Sequence, residues 1–297
     1  MDQKQKHQTE LWTALAVLAI VSAIVFHFFL NKKQKQTVLL PLNLVWQSAP
    51  GEQKSLEHQN YNIRVKKLKL PILMYHHIGS VPNPKDELRK DITVSPEDFE
   101  KQVKWLKDSG YKTVSLGDLF NYTKNKFKMP EKPIVLTFDD GYEDAFENAI
   151  PILKKNNFIG SFGVITQFPG IEYSGNVYAN WATIRKAKAM GMEIVSHTQD
   201  HFDGTNPRYS QKFILKNLED SQKDLQINLG FLPLPILIYP YGHYSGQYIQ
   251  TARTAGFRLG LTTKFGKTVF FDKLMEIPRV RIHGKETLDT FKKLILE

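Results

Sequence analysis

Short apolar, β-branched runs alternate with amphipathic stretches from Pro71 to the C-terminus, and this alternation restricts the fold more than any other feature. A continuous apolar run of this length reads as a strand buried on both faces. Strands of that kind, each followed by a helix, belong to a parallel sheet with helices outside it. The runs that begin at Pro71, Ile134, Glu193, Pro235 and Glu276 share a second property: each stops on polar or aromatic residues. A (β/α) barrel gathers such residues on one face, at the C-terminal ends of separate strands. About seven strands can be counted, so the expected architecture is α/β, a distorted or incomplete (β/α) barrel rather than a regular eight-fold one.

The intervening stretches carry helix signals. Ser95-Pro96-Glu97-Asp98 offers an N-cap, a proline at the first position and acids in the first turn. Phe99, Val103 and Leu106 then repeat at helical spacing, and Gly110 stops the pattern. Further helices are predicted over 116–125, 143–156, 181–190, 209–229, 245–256 and 287–296. In the longest, Phe213, Leu218, Leu225 and Leu229 are expected to face inward. Residues 81–92, rich in proline and charge, read as a loop.

The N-terminus reads differently. After a polar tail (1–10), residues 11–30 contain no Lys, Arg, Asp or Glu. At roughly 1.5 Å per residue a helix there matches a hydrocarbon layer of about 30 Å. No Ala-x-Ala site follows, so an uncleaved transmembrane anchor is expected. Residues 31–60 read as a linker and 61–297 as the globular domain. Lys32, Lys33 and Lys35 lean the positive-inside count against export, but a long C-terminal domain translocates despite such charges. The expected location is the cell membrane, crossed once, with the domain outside the cytoplasm.

The chemistry concentrates in two segments. Ile134-Val-Leu-Thr-Phe-Asp-Asp-Gly141 ends an apolar run on adjacent carboxylates. Core packing has no use for Asp139 and Asp140 side by side, because like charges repel and burial raises the cost. Glu193-Ile-Val-Ser-His-Thr-Gln-Asp-His201 ends another, and a helical turn would put His197 and His201 on one face. An isolated His-x-x-x-His is more often two unrelated histidines. Coupled to the Asp-Asp pair, it points to a divalent ion with open coordination positions and a spare base. His76 and His77, at the end of the first run, line that site or cap the strand. Phe168, Tyr173, Tyr178 and Trp181 could stack on a sugar ring or simply pack a loop.

Bulk properties narrow the partners. The net charge of +10 suggests anionic surroundings, but no nucleic-acid module is present, and a basic nucleic-acid-binding protein is a distant reading. The absence of cysteine excludes disulfides, thiolate ligands and a cysteine nucleophile.

Phe138-Asp-Asp-Gly141, His197-Thr-Gln-Asp-His201 and Tyr239-Pro-Tyr-Gly242 together resemble the polysaccharide deacetylases of carbohydrate esterase family 4, the NodB-homology domain. The resemblance spans roughly residues 70–282. The Met-Tyr-His-His-Ile opening and the membrane span look most like the branch acting on poly-β-1,6-N-acetylglucosamine of biofilm matrix. It implies metal-dependent removal of N-acetyl groups, with Asp139 as general base and Asp140, His197 and His201 holding the metal. Zinc is the first expectation; cobalt, nickel or manganese also fit. Trp181 would wall the site, the Tyr241 backbone N–H would help hold the oxyanion, and His283 would be the general acid. Tyr239, His76 and Arg281 are further candidates for substrate contact. The arginine many members carry just before the Pro-Tyr is replaced here by Ile238 and Tyr239, so Arg279 or Arg281 would have to orient Asp139. The implied partners are an N-acetylated glycan polymer, the membrane through the N-terminal helix, and proteins of glycan synthesis and export. A peptidoglycan deacetylase and a non-catalytic surface glycan-binding protein are the rival readings.

Overall fold

Seven short strands run parallel and close into a ring. They are β1 (Ile72–Tyr75), β2 (Pro133–Phe138), β3 (Ser161–Val164), β4 (Glu193–Ser196), β5 (Ile236–Ile238), β6 (Leu259–Phe265) and β7 (Ile277–Arg281). Each pairs with the next, and β7 pairs with β1. The barrel expected to be distorted or incomplete is therefore closed, and its distortion is a register shift between β6 and β7 around Leu261 and Phe265. A two-residue strand, Lys112–Thr113, lies parallel to the start of β2. The structure is a computed structural model that describes residues 66–230 and 234–297. The expected anchor at 11–30 and the linker lie outside the described residues. Among those described, no helix is long and apolar enough to cross a membrane.

Alternation along each strand divides the core. Ile72, Val135, Val195, Ile236, Ile238, Leu261 and Ile277 pack together in one cluster, inside the ring. Leu73, Tyr75, Leu136, Phe138, Phe162, Ile194 and Val280 pack in another, under the helices. Each large apolar side chain buried this way contributes roughly 1.5–3 kcal/mol, which explains why the strands are apolar throughout.

The helices are α1 (Glu87–Ile92), α2 (Pro96–Asp108), α3 (Leu116–Thr123), α4 (Ile150–Lys155), α5 (Trp181–Ala189), α6 (Gln211–Leu229), α7 (Gly246–Thr254) and α8 (Leu288–Leu296). The cap at Ser95 forms: its hydroxyl accepts from the Asp98 N–H, and Phe99, Val103 and Leu106 are buried. α1 replaces part of the expected loop at 81–92. It buries none of its residues, so no apolar stripe announced it. The helix expected over 143–156 begins as a π-helical turn, Ala145–Ala149, before α4. In α6 the inward stripe is Ile214, Leu218 and Leu225, while Phe213 is 38% exposed and stacks on Tyr209.

One end of the barrel is plugged. Leu116 and Leu119 of α3 join the interior cluster. The half-buried carboxylate of Glu193, at the start of β4, accepts from the Leu116 and Gly117 N–H groups and from the Ser161 hydroxyl. The chemistry lies at the other end.

Candidate active site

β2 ends at Phe138, and the Asp139 N–H donates to the Tyr75 carbonyl, continuing the ladder for one more residue. Period-two alternation puts Asp139 on the same face as Thr137, toward the interior. There it meets Arg279 of β7, which is wholly buried. The guanidinium donates to Asp139 Oδ1 and Oδ2, each at 2.7 Å, to Thr137 Oγ1 at 3.0 Å and to the Thr262 carbonyl at 2.9 Å. A planar fork on a carboxylate fixes its orientation. Of the two arginines considered for this task, Arg279 performs it. Arg281 sits 3.7 Å from Asp91 instead. Burial alone would raise the Asp139 carboxyl, but the Arg279 charge and hydrogen bonds outweigh it and hold the group below the ordinary carboxylate range.

Asp140 turns the other way. Its φ of +72°, followed by Gly141 at +84°, reverses the chain and aims the carboxylate at β4. Oδ1 lies 3.0 Å from His197 Nε2 and 3.3 Å from His201 Nε2, and the three ligand atoms all fall within 4.8 Å of one another. His197 Nδ1 is 2.8 Å from the Ile238 carbonyl. A carbonyl only accepts, so Nδ1 carries the hydrogen and Nε2 of the neutral ring presents its lone pair. That lone pair faces a carboxylate oxygen, which also only accepts. Two acceptors held this close call for a proton or a cation between them, and a carboxylate with two imidazoles, one oriented by a carbonyl, suits a divalent ion. Without a cation the proton is favoured: burial lowers His197, but Asp140 more than reverses it, and Asp140 itself is held well below its ordinary range despite burial.

The histidines do not meet through a helical turn. The segment after β4 is a loop in which Thr198 (φ +66°) and His201 (φ +61°) are left-handed. The Thr198 N–H donates to Ser196 Oγ, and the His201 N–H to Thr198 Oγ1. Of the seven non-glycine residues with positive φ among the described residues, Asp140, Thr198, His201 and Tyr241 stand here. Such conformations persist only where surrounding contacts impose them, and they gather at functional sites.

The other candidates divide. Tyr241 (φ +59°) turns its ring into the mouth, 57% exposed and edge-on to His201 at 4.7 Å. His76 stands among the charges of Asp140, Asp139, Arg281 and Arg279, its pKa lowered chiefly by burial and its Nδ1 without a partner. His283, two residues beyond β7 and partly exposed, holds Nδ1 2.9 Å from Asp91 Oδ1, so Nε2 lies outside that contact. Trp181 opens α5 at the same mouth, where the neighbouring Ala179 N–H donates to the Gly141 carbonyl, and its ring packs half-buried on the outer core. Tyr239 is a correction. It is fully buried between β5 and the helices, and its hydroxyl donates to the Met275 carbonyl, so it is out of reach of substrate.

Asp91 and Tyr142 were missed. Asp91 lies in α1, a helix with an Asp86 cap but no apolar stripe to announce it. Tyr142 stacks on His77 at 3.6 Å. Burial and then the Asp140 charge push its phenol far up, so it stays protonated beside that carboxylate. The signal was present in its position, one residue past the Asp-Asp-Gly.

With this geometry in view, the likenesses to known proteins agree. The polysaccharide deacetylase family profile matches residues 126–260. The Bacillus subtilis protein YxkH, assigned to the polysaccharide deacetylases, is 31% identical over 219 residues, 73% of this chain and 72% of that protein. The poly-β-1,6-N-acetyl-D-glucosamine N-deacetylase of Staphylococcus aureus is 31% identical over 214 residues, 69% of this chain and 72% of that one. Among solved structures, the Streptococcus pyogenes deacetylase PplD in complex with acetate superposes with a TM-score of 0.69 at 27% identity, covering 77% of this chain and 99% of that one. The chain belongs to the polysaccharide deacetylase family and is a hydrolase of that kind.

Proposed function

We propose that the protein is a membrane-anchored, extracytoplasmic deacetylase that hydrolyses N-acetyl groups of poly-β-1,6-N-acetylglucosamine, a biofilm-matrix polymer, to acetate and a partly cationic glycan. The observation that carries the reading is an ionised carboxylate, Asp139, held rigid by a buried arginine beside an Asp140–His197–His201 group that suits a divalent ion. The substrate follows from the similarity to the staphylococcal enzyme. The anchor follows from the uncharged span at 11–30.

Asp140, His197 and His201 would hold the ion, with zinc first and cobalt, nickel or manganese also suited to the donor set. When bound, such an ion acidifies water and polarises the acetyl carbonyl. Asp139 takes the proton of the attacking water, its orientation fixed by Arg279. The Tyr241 backbone N–H would help hold the oxygen on which negative charge develops. His283 gives a proton to the departing amine from Nε2, while Asp91 accepts from Nδ1 and orients the ring. Water adds across the C–N bond, yielding acetate and a glucosamine unit.

The test is acetate release from defined β-1,6-linked N-acetylglucosamine oligomers and from peptidoglycan fragments, with and without chelator. Release from the β-1,6 oligomers, lost in Asp139→Asn and His197→Ala with their folds intact, is the expected result. Wild-type rates in both variants would end the catalytic reading, and release from peptidoglycan alone would move the substrate. Membrane fractionation with external protease tests the location. A full-length protein found only in the soluble fraction would refute the anchor.

A further inference from the structure

A hairpin over the mouth has no part in the reaction described above. Glu172–Tyr173 pairs antiparallel with Asn176–Val177 around a left-handed Ser174-Gly175 turn. So small a ribbon does not hold itself together in water, yet it exposes three apolar side chains: Ile171, Tyr173 (60% exposed) and Val177.

Two sets of contacts pin it to the catalytic loop. The first is polar. Nearly buried Arg89 of α1 donates to the Asn176 side chain and to Asp144 Oδ2, and Asp144 in turn binds His77 Nδ1 at 2.9 Å. The second is a run of rings. Tyr173 lies 5.5 Å from Phe168, Phe168 4.9 Å from Tyr178, Tyr178 5.2 Å from Tyr142, and Tyr142 is two residues from Asp140. Backbone pairing of Tyr142 with Tyr178 closes the connection. Of these rings only Tyr173 is exposed; Tyr142 and Tyr178 are buried and Phe168 packs against them. Tyr241, exposed after β5, lies edge-on to His201 at 4.7 Å. Two open aromatic faces therefore attend one site, from the loop after β5 and from the hairpin after β3.

We infer that Tyr173 is a stacking subsite for a pyranose ring of the polymer, adjacent to the unit being deacetylated, and that Arg89 is the positioning residue that holds the hairpin there. A sugar ring offers an apolar C–H face and a polar rim, and a tyrosine braced from one side by Phe168 offers a flat apolar face with a polar tip. This rests on the deacetylase reading for its choice of ligand but is separable from it by binding. The probes are a β-1,6-linked N-acetylglucosamine pentasaccharide, its β-1,4-linked counterpart and a simple N-acetylglucosamine glycoside. They are titrated calorimetrically into full-length Asp139→Asn protein with and without Tyr173→Ala, Tyr173→Trp or Arg89→Ala, and assayed for turnover with the Asp139 versions.

Expected for Tyr173→Ala is about a tenfold weaker pentasaccharide Kd and a matching rise in KM, with kcat and the monosaccharide unaffected. Tyr173→Trp should retain affinity, and Arg89→Ala should follow Tyr173→Ala. Unchanged pentasaccharide binding in Tyr173→Ala, or an equal loss on the monosaccharide, overturns the subsite even if acetate release stands. Tyr173-dependent binding without acetate release by the wild type supports the subsite and refutes the deacetylase reading. Dependence on Tyr173 for the β-1,4 oligomer alone supports the subsite and changes the polymer.

Discussion

Arg279 decides the state of Asp139. Both are buried, and each charge offsets the cost of burying the other, while Arg279 keeps the Thr137 and Thr262 oxygens as acceptors if the carboxylate is lost. Arg279→Ala leaves a carboxylate in an apolar interior and is expected to cost about 3–5 kcal/mol, read as a fall in urea midpoint at unchanged m-value. Arg279→Met combined with Asp139→Asn should recover most of that loss but none of the acetate release. The pH dependence has a definite sign. Asp139 and Asp140 are both held below their ordinary range when folded, burial notwithstanding. Between the folded and unfolded values the unfolded chain binds more protons, so stability rises with pH there. The contribution is complete above an ordinary aspartate pKa of about 3.9 and is lost as pH falls through the depressed folded values. Urea midpoints measured from pH 6 downward should decline below about pH 4, more shallowly in Asp139→Asn. A decline of equal steepness in the variant would assign the acid sensitivity elsewhere.

At the scale of elements, the barrel is asymmetric end to end. α3 closes the far end, and its first N–H groups are satisfied by Glu193 together with the Ser115–Asp118 capping box. Glu193→Ala orphans those donors and opens space, at a cost of about 1–3 kcal/mol. That corresponds to a drop in Tm of about 2–4 °C for each kcal/mol in a chain of this size. KM for the glycan should not move, because the contact is at the opposite end from the mouth. A changed KM would mean that the plug and the mouth are coupled. At the mouth, elements stop abruptly: β2, β4 and β5 are each followed by left-handed residues that turn side chains out of the strand's alternation. Tyr239 and Tyr241 are two apart and would share a face in a continued strand. The left-handed turn at Tyr241 instead sends one ring to the mouth while the other stays in the core.

At the scale of the whole molecule, one ring of strands presents the Asp–His–His group from β2 and β4, the arginine and imidazole from β7 and the exposed tyrosine after β5. An ion that binds only this assembled site stabilises the fold by mass action, by about 2.7 kcal/mol at a hundredfold excess over its Kd. Dialysis against chelator should therefore lower Tm and abolish acetate release together, and zinc should restore both. Loss of activity with an unmoved Tm would mean that the ion is not held by the folded site.

The sequence by itself determined the layers and the chemistry. Uniformly apolar runs between amphipathic stretches can bury both faces only as parallel strands under helices, and Asp139–Asp140 and His197–His201 are too costly there without a cation or proton. What tertiary structure alone decided is which interior residues meet. Arg279 and Asp139 are 140 positions apart, and Asp91 and His283 are 192 apart. Local periodicity tells which face of a strand a side chain takes, but the meeting of two faces depends on closure and register around the ring. Those are set by the packing of all seven strands at once.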